Sequence, residues 1–174
     1  TLLKVLEEPP AYAYFILVSS RPHDVLLTIA SRCERIEFRA LPDAILTELL
    51  GKRTLDAADR VLLAAVAGGR PGLALHLADS GRLADVAEQI GVLERALKGG
   101  LTERLLAARD VAAREDAPDV ADWWLSWVHS RLPEHPRLAP VAGGLLELRD
   151  ALHNSSVNRR LAVERFFLGI AGQK

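Results

Sequence analysis

Cysteine occurs once in these 174 residues, which excludes an internal disulfide and any thiolate metal cluster and makes a reducing cytoplasm the default setting. Apolar residues never run to the roughly 18 in a row that a membrane-crossing helix needs, and the start has no basic-then-apolar targeting pattern. No membrane role is expected. An excess of charge of one sign is missing as well. The 22 Lys and Arg against 23 Asp and Glu leave a formal net charge of −1, no electrostatic footprint for a nucleic-acid-binding surface taken as a whole. His23, His76, His129, His135 and His153 show neither H-x-x-H nor carboxylate spacing, so no metal centre is expected, and no motif brings a Ser/His/Asp set together. The phosphate-binding pattern G-x-x-x-x-G-K-[ST] does not occur, so the chain is not expected to hydrolyse ATP alone. Methionine is absent, and Thr1 opens directly inside an amphipathic helical pattern, from which a fragment of a longer protein is expected.

What is present is ample apolar material for a core, 49% of the residues, set for the most part at helical spacing. The exception is the stretch over residues 14–38, around which the rest can be arranged. Residues 15–18, Phe-Ile-Leu-Val, form a continuous apolar run bounded by Ser19, Ser20 and Pro22, the pattern of a strand buried on both faces. Residues 24–29 turn helical, with Asp24 placed to cap the short helix. In Arg35-Ile36-Glu37-Phe38 polar and apolar residues alternate, which predicts a second strand with one wet face. Two short strands do not make a stable sheet by themselves, so an exposed apolar face is expected beside them. Between the helix and the second strand sits Ser31-Arg32-Cys33, a positive charge at a turn. Cys33 reads as a small buried hydrophobe behind Arg32 rather than a reactive thiol.

Together with Leu2-Leu3-Lys4-Val5-Leu6-Glu7-Glu8-Pro9-Pro10, whose leucines form a helix stripe that the prolines end, these features resemble the clamp-loader branch of the AAA+ ATPases. There a helix of the form LLK-x-LEEPP leads into the strand carrying the sensor-1 residue, and a short helix leads on to Ser-Arg-Cys. The resemblance makes Arg32, flanked by Ser31 and Cys33, a catalytic finger that reaches the nucleotide phosphates held by a neighbouring subunit. A planar fork of donors can pair bidentately with phosphate oxygens and offset charge in phosphoryl transfer. Ser19 and Ser20 fall where the family places its sensor-1 group, at the carboxyl end of a strand where α/β sheets bind ligands. Read from the residues alone, both serines can equally satisfy turn backbone.

Ala40-Leu41-Pro42 reads as a junction. Beyond it Ile45, Leu46, Leu49 and Leu50 form a stripe ending near Gly51, and Leu55, Val61, Leu62, Ala65 and Val66 form another running to Gly68-Gly69. A third helix starts at Pro71 and passes Leu75 to Ala78. Three short helices in this span match the AAA+ lid, but the sensor-2 arginine of its last helix is degenerate: Leu73 precedes Ala74-Leu75, and Arg70 comes three residues early. Residues 81–84 read as a linker into helices marked by Val86, Ile90, Leu93 and Leu97, then by Leu101, Leu105, Leu106 and Val111. Trp123, Trp124 and Trp127 give the following helix a broad apolar face. Asp116, Asp119 and Asp122 around it favour core packing or a subunit seam over nucleobase stacking. Near the end Asn154, Asn158, Leu161, Ala162 and Glu164 match the last two helices of the clamp-loader collar, with Val157, Leu161 and Leu168 on one helix face.

The expected fold is therefore mainly α: a remnant of an AAA+ α/β core with two short strands over residues 1–40, a three-helix lid over 41–80 and a helical, ring-forming collar over 81–174. The resemblance implies a subunit of the loader of bacterial DNA polymerase III, which places the sliding clamp on primed DNA during replication. It further implies partners of the gamma/tau and delta kinds through the collar, no cofactor on this chain and ATP with magnesium at a neighbouring subunit. The degenerate sensor 2 favours a stator that lends its arginine over the gamma/tau ATPase kind. The alternatives outside the family are an AAA+ regulator that binds DNA through its terminal helices and a helical interaction module without nucleotide; no basic recognition helix supports the former.

Overall fold

Most helices start where the sequence supplies a start. Pro42 precedes α3 (Asp43–Leu50), and the Asp56 carboxylate accepts from the Asp59 N–H at 2.7 Å to cap α4 (Ala57–Ala67). Pro71 opens α5 (Pro71–Asp79), where its missing N–H is no loss. The computed structural model describes residues 2–19, 21–154 and 156–170, leaving aside the side chains of Leu2, Leu3 and Glu7. It is mainly α, and no strand forms among the described residues. The chain divides into two units, Thr1–Arg39 and Ala40–Lys174, with the Ala40-Leu41-Pro42 junction opening the second.

The first unit holds α1 (Leu2–Glu7), a 3-10 turn over Pro22–Asp24 and α2 (Leu27–Ala30). The two expected strands are corrected here. Residues 15–18 and 35–38 make no backbone ladder, and a strand exists only through the neighbour that takes its N–H and C=O groups. Side-chain alternation survives in the second segment, where Arg35 and Arg39 pair with Glu37 at 2.9 and 3.6 Å while Ile36 and Phe38 stay exposed. Ile16 and Val18 are exposed too. The helix expected over residues 24–29 is also revised: Val25 is extended, so Asp24 ends the 3-10 turn, and α2 starts from Leu26 without a side-chain cap.

The second unit is a helical assembly around α8 (Ala117–Arg131), which packs against α4, α6 (Leu83–Lys98) and α9 (Ala139–His153). Helix α6 also packs on α7 (Leu101–Ala112), and α10 (Arg159–Gly169) closes over α7 and α9. A continuous core runs from Leu46 and Leu50 through Leu63, Val86 and Leu93 to Phe167. Its centre is aromatic. Trp124 is fully buried, with the Phe166 and Phe167 ring centroids at 6.2 and 5.7 Å, and its indole N–H donates to the Gln89 carbonyl of α6 at 2.7 Å. Trp123 and Trp127 are buried as well, so the tryptophan helix serves the core and offers no stacking platform.

Helix α7 departs from its expected stripe. Leu101, Leu105 and Leu106 are exposed, whereas Arg104, Ala107, Ala108 and Val111 are buried. Close approach of α10 is the reason: small alanines let the helix pack down, and Arg104 turns its Nε–H back to the Ala96 carbonyl at 3.1 Å. Helix α10 behaves likewise, burying Val163, Phe166 and Phe167 while Leu161 and Leu168, with Val157 just before the helix, remain exposed. The linker expected over 81–84 is shorter, since α6 begins at Leu83 just after Gly81, whose φ is +70°.

Candidate functional site

Helix α2 delivers the Ser31-Arg32-Cys33 turn. The Ser31 N–H donates to Leu27 O at 2.9 Å, the Arg32 N–H to Ile29 O at 3.1 Å and the Cys33 N–H to Ala30 O at 3.4 Å, so the backbone tightens over the helix end before turning extended. Arg32 is exposed; its Nη1 donates to the Thr28 carbonyl at 2.7 Å and lies 3.5 Å from the Ser31 hydroxyl. Cys33 is exposed rather than buried behind Arg32. No described residue of the first unit is buried, so there is no core to receive the thiol. Ser19 accepts from the Arg21 N–H at 3.0 Å, a turn-forming bond, while Ser20 lies outside the described residues. Chemically, the turn offers a guanidinium on an exposed backbone bend.

Arg70, the arginine nearest the expected sensor-2 position, stands at the start of α5, and its Nε–H donates to the Ala67 carbonyl at 2.9 Å. Both asparagines of the terminal motif hold backbone. Asn158 caps α10 by accepting from the Leu161 N–H at 3.1 Å, and Asn154 Oδ1 accepts from the Ser156 N–H at 3.1 Å. Among the described residues no group of three or more His, Cys, Asp and Glu is placed to hold a metal ion.

Among the described residues a cluster of ion pairs joins two helix starts that no sequence motif links. Arg82 pairs with Asp85, Asp116 and Asp119, and Arg114 pairs with Asp85 and Asp116, so two guanidinium groups bridge the starts of α6 and α8. Arg82 also lies 4.7 Å from the centroid of the Trp123 ring, and Arg159 donates to the Arg114 carbonyl at 3.0 Å. The Arg114 hydrogen bond, opposed in part by burial and joined by Arg82, holds the Asp116 carboxyl below its ordinary value. The 82/85 and 114/116 pairs are close in sequence, but the bonds that join them, Arg82 to Asp116 and Arg114 to Asp85, link separate elements.

A family model described as DNA polymerase III, delta subunit, matches residues 1–42, the stretch that contains the Ser-Arg-Cys turn. The chain is similar to the DNA polymerase III subunit delta' of Escherichia coli, 32% identical over 142 residues, which is 80% of this chain and 41% of that protein. It is also similar to the gamma/tau subunit of Mycobacterium bovis, 36% identical over 124 residues, 68% of this chain and 20% of that protein. The chain belongs to the clamp-loader family of bacterial DNA polymerase III. A shorter likeness to the tau subunit of Bacillus subtilis, 43% over 51 residues, covers 29% of the chain and 9% of that protein. The clamp-loader likeness thus spans less than half the length of each of these relatives. No solved structure matches the chain. No helix among the described residues is long and apolar enough to cross a membrane.

Proposed function

We propose that this chain works in the cytoplasm as part of a delta prime-type stator subunit of the clamp loader, with Arg32 acting in trans on ATP and magnesium held by a neighbouring subunit. The observation that carries the reading is the placement of Arg32 on an exposed turn directly after α2, inside the stretch that the family model matches. Ser31 and Cys33 shape that turn, and Ser19 and Ser20 stand at the sensor-1 position. Residues 41–80 serve as the lid and 81–174 as the collar that joins gamma/tau and delta subunits in a ring, which sets the sliding clamp on primed DNA. A second reading, the gamma/tau ATPase kind, is favoured by the higher identity to the mycobacterial gamma/tau subunit.

The test uses a loader reconstituted with the full-length subunit. Arg32→Ala and Arg32→Lys should both leave assembly intact and lower steady-state ATP turnover at the one interface that Arg32 faces, with Ala lower by about tenfold or more, in line with other arginine fingers. Lysine keeps the charge but loses the bidentate fork, so it should not rescue. Normal hydrolysis with Arg32→Ala, or loss of assembly in place of turnover, would overturn the proposal. Productive ATP binding by the isolated full-length subunit would move the assignment to the gamma/tau kind.

A further inference from the structure

We draw no further inference here: the strongest candidate, the apolar groove between α9 and α10 lined by Leu148, Phe166 and Leu161, carries none because nothing in the structure shows what covers it.

Discussion

Replacing Asp116 with Asn tests the ionic junction that ties the start of α6 to the start of α8. The carboxylate accepts from Arg114 Nε at 2.8 Å and Nη2 at 3.0 Å, and from Arg82. Its side chain is 26% exposed, between two limiting cases. An exposed pair contributes about 0–1 kcal/mol, and removing one partner of a buried pair costs about 3–5 kcal/mol. A bidentate pair at this depth falls between them, at about 2 kcal/mol. Two features keep the loss from rising further: Asp85 still accepts from Arg82 at 3.2 Å and from Arg114 at 2.9 Å, and Asn retains one acceptor oxygen. At about 2–4 °C per kcal/mol for a domain of this size, the thermal midpoint should fall by about 4–8 °C at pH 7.

The pH dependence gives the same experiment a second arm. Because the folded-state pKa of Asp116 is lowered from 3.8, the unfolded chain takes up this proton first as pH falls. The stabilisation is therefore complete above the ordinary carboxylate value and is lost as pH drops through the depressed one. Calorimetric melts of the wild type and Asp116→Asn should differ fully at pH 7 and converge in strong acid. A double-mutant cycle with Arg114→Met should show positive coupling between the two positions. An unchanged midpoint at pH 7, or a difference that persists undiminished in strong acid, would refute the assignment of the stabilisation to this charge pair.

Gly69 has φ +79°, and a Cβ there would stand 2.4 Å from Ala40 Cβ and 2.9 Å from the Leu41 backbone N, so Gly69→Ala should destabilise by about 2–4 kcal/mol in chemical denaturation. Gly81→Ala, at φ +70° with open space around it, isolates the backbone strain and should cost about 1–2 kcal/mol; equal losses at both sites would remove the clash from the account. The Gln89 side-chain oxygen is buried without a hydrogen-bond partner, so Gln89→Met should stabilise by about 1 kcal/mol, and a measured loss would contradict the penalty assigned to that oxygen. Asn158→Ala removes the cap of α10 and should cost about 1 kcal/mol, with Asn158→Ser recovering most of it; no recovery would show that the cap bond is not the cause.

Local chemistry that acts through the chain's own neighbours was legible in advance. Asn158 and Pro71 announce helix starts because their effects reach no further than one turn. Gly68, at φ +55°, announces a helix end for the same reason. The tryptophans of α8 were assignable to a core or a subunit seam because three acidic residues nearby argue against a nucleic-acid face, and their burial decides for the core. Relational properties were not legible. An apolar run such as residues 15–18 has the composition of a buried strand, but its state depends on a pairing partner that composition does not supply. Helix α7 shows the same limit: three leucines outrank two alanines on any hydropathy scale, yet the tight approach of α10 selects the alanines for burial. The ionic junction needed Arg82 and Asp116, 34 positions apart, to be brought together by tertiary packing.

Core and candidate site also draw on different residues, and this decides how a loss at Arg32 can be interpreted. The buried core is built from residues between Leu46 and Ile170, and no described side chain of Thr1–Arg39 is buried. Arg32 is exposed and contributes no apolar area to that core, so its truncation creates no cavity and removes none of the packing that sets the cooperative melt of the second unit. The Ser31-Arg32-Cys33 turn is held by main-chain hydrogen bonds to Leu27, Ile29 and Ala30, which an alanine side chain at position 32 leaves in place. A fall in loader turnover with an unchanged melt therefore cannot be attributed to a damaged core. The loss then lies with the Arg32 side chain, its bond to the Thr28 carbonyl included, and the comparison of Lys with Ala separates a need for positive charge from a need for the planar fork.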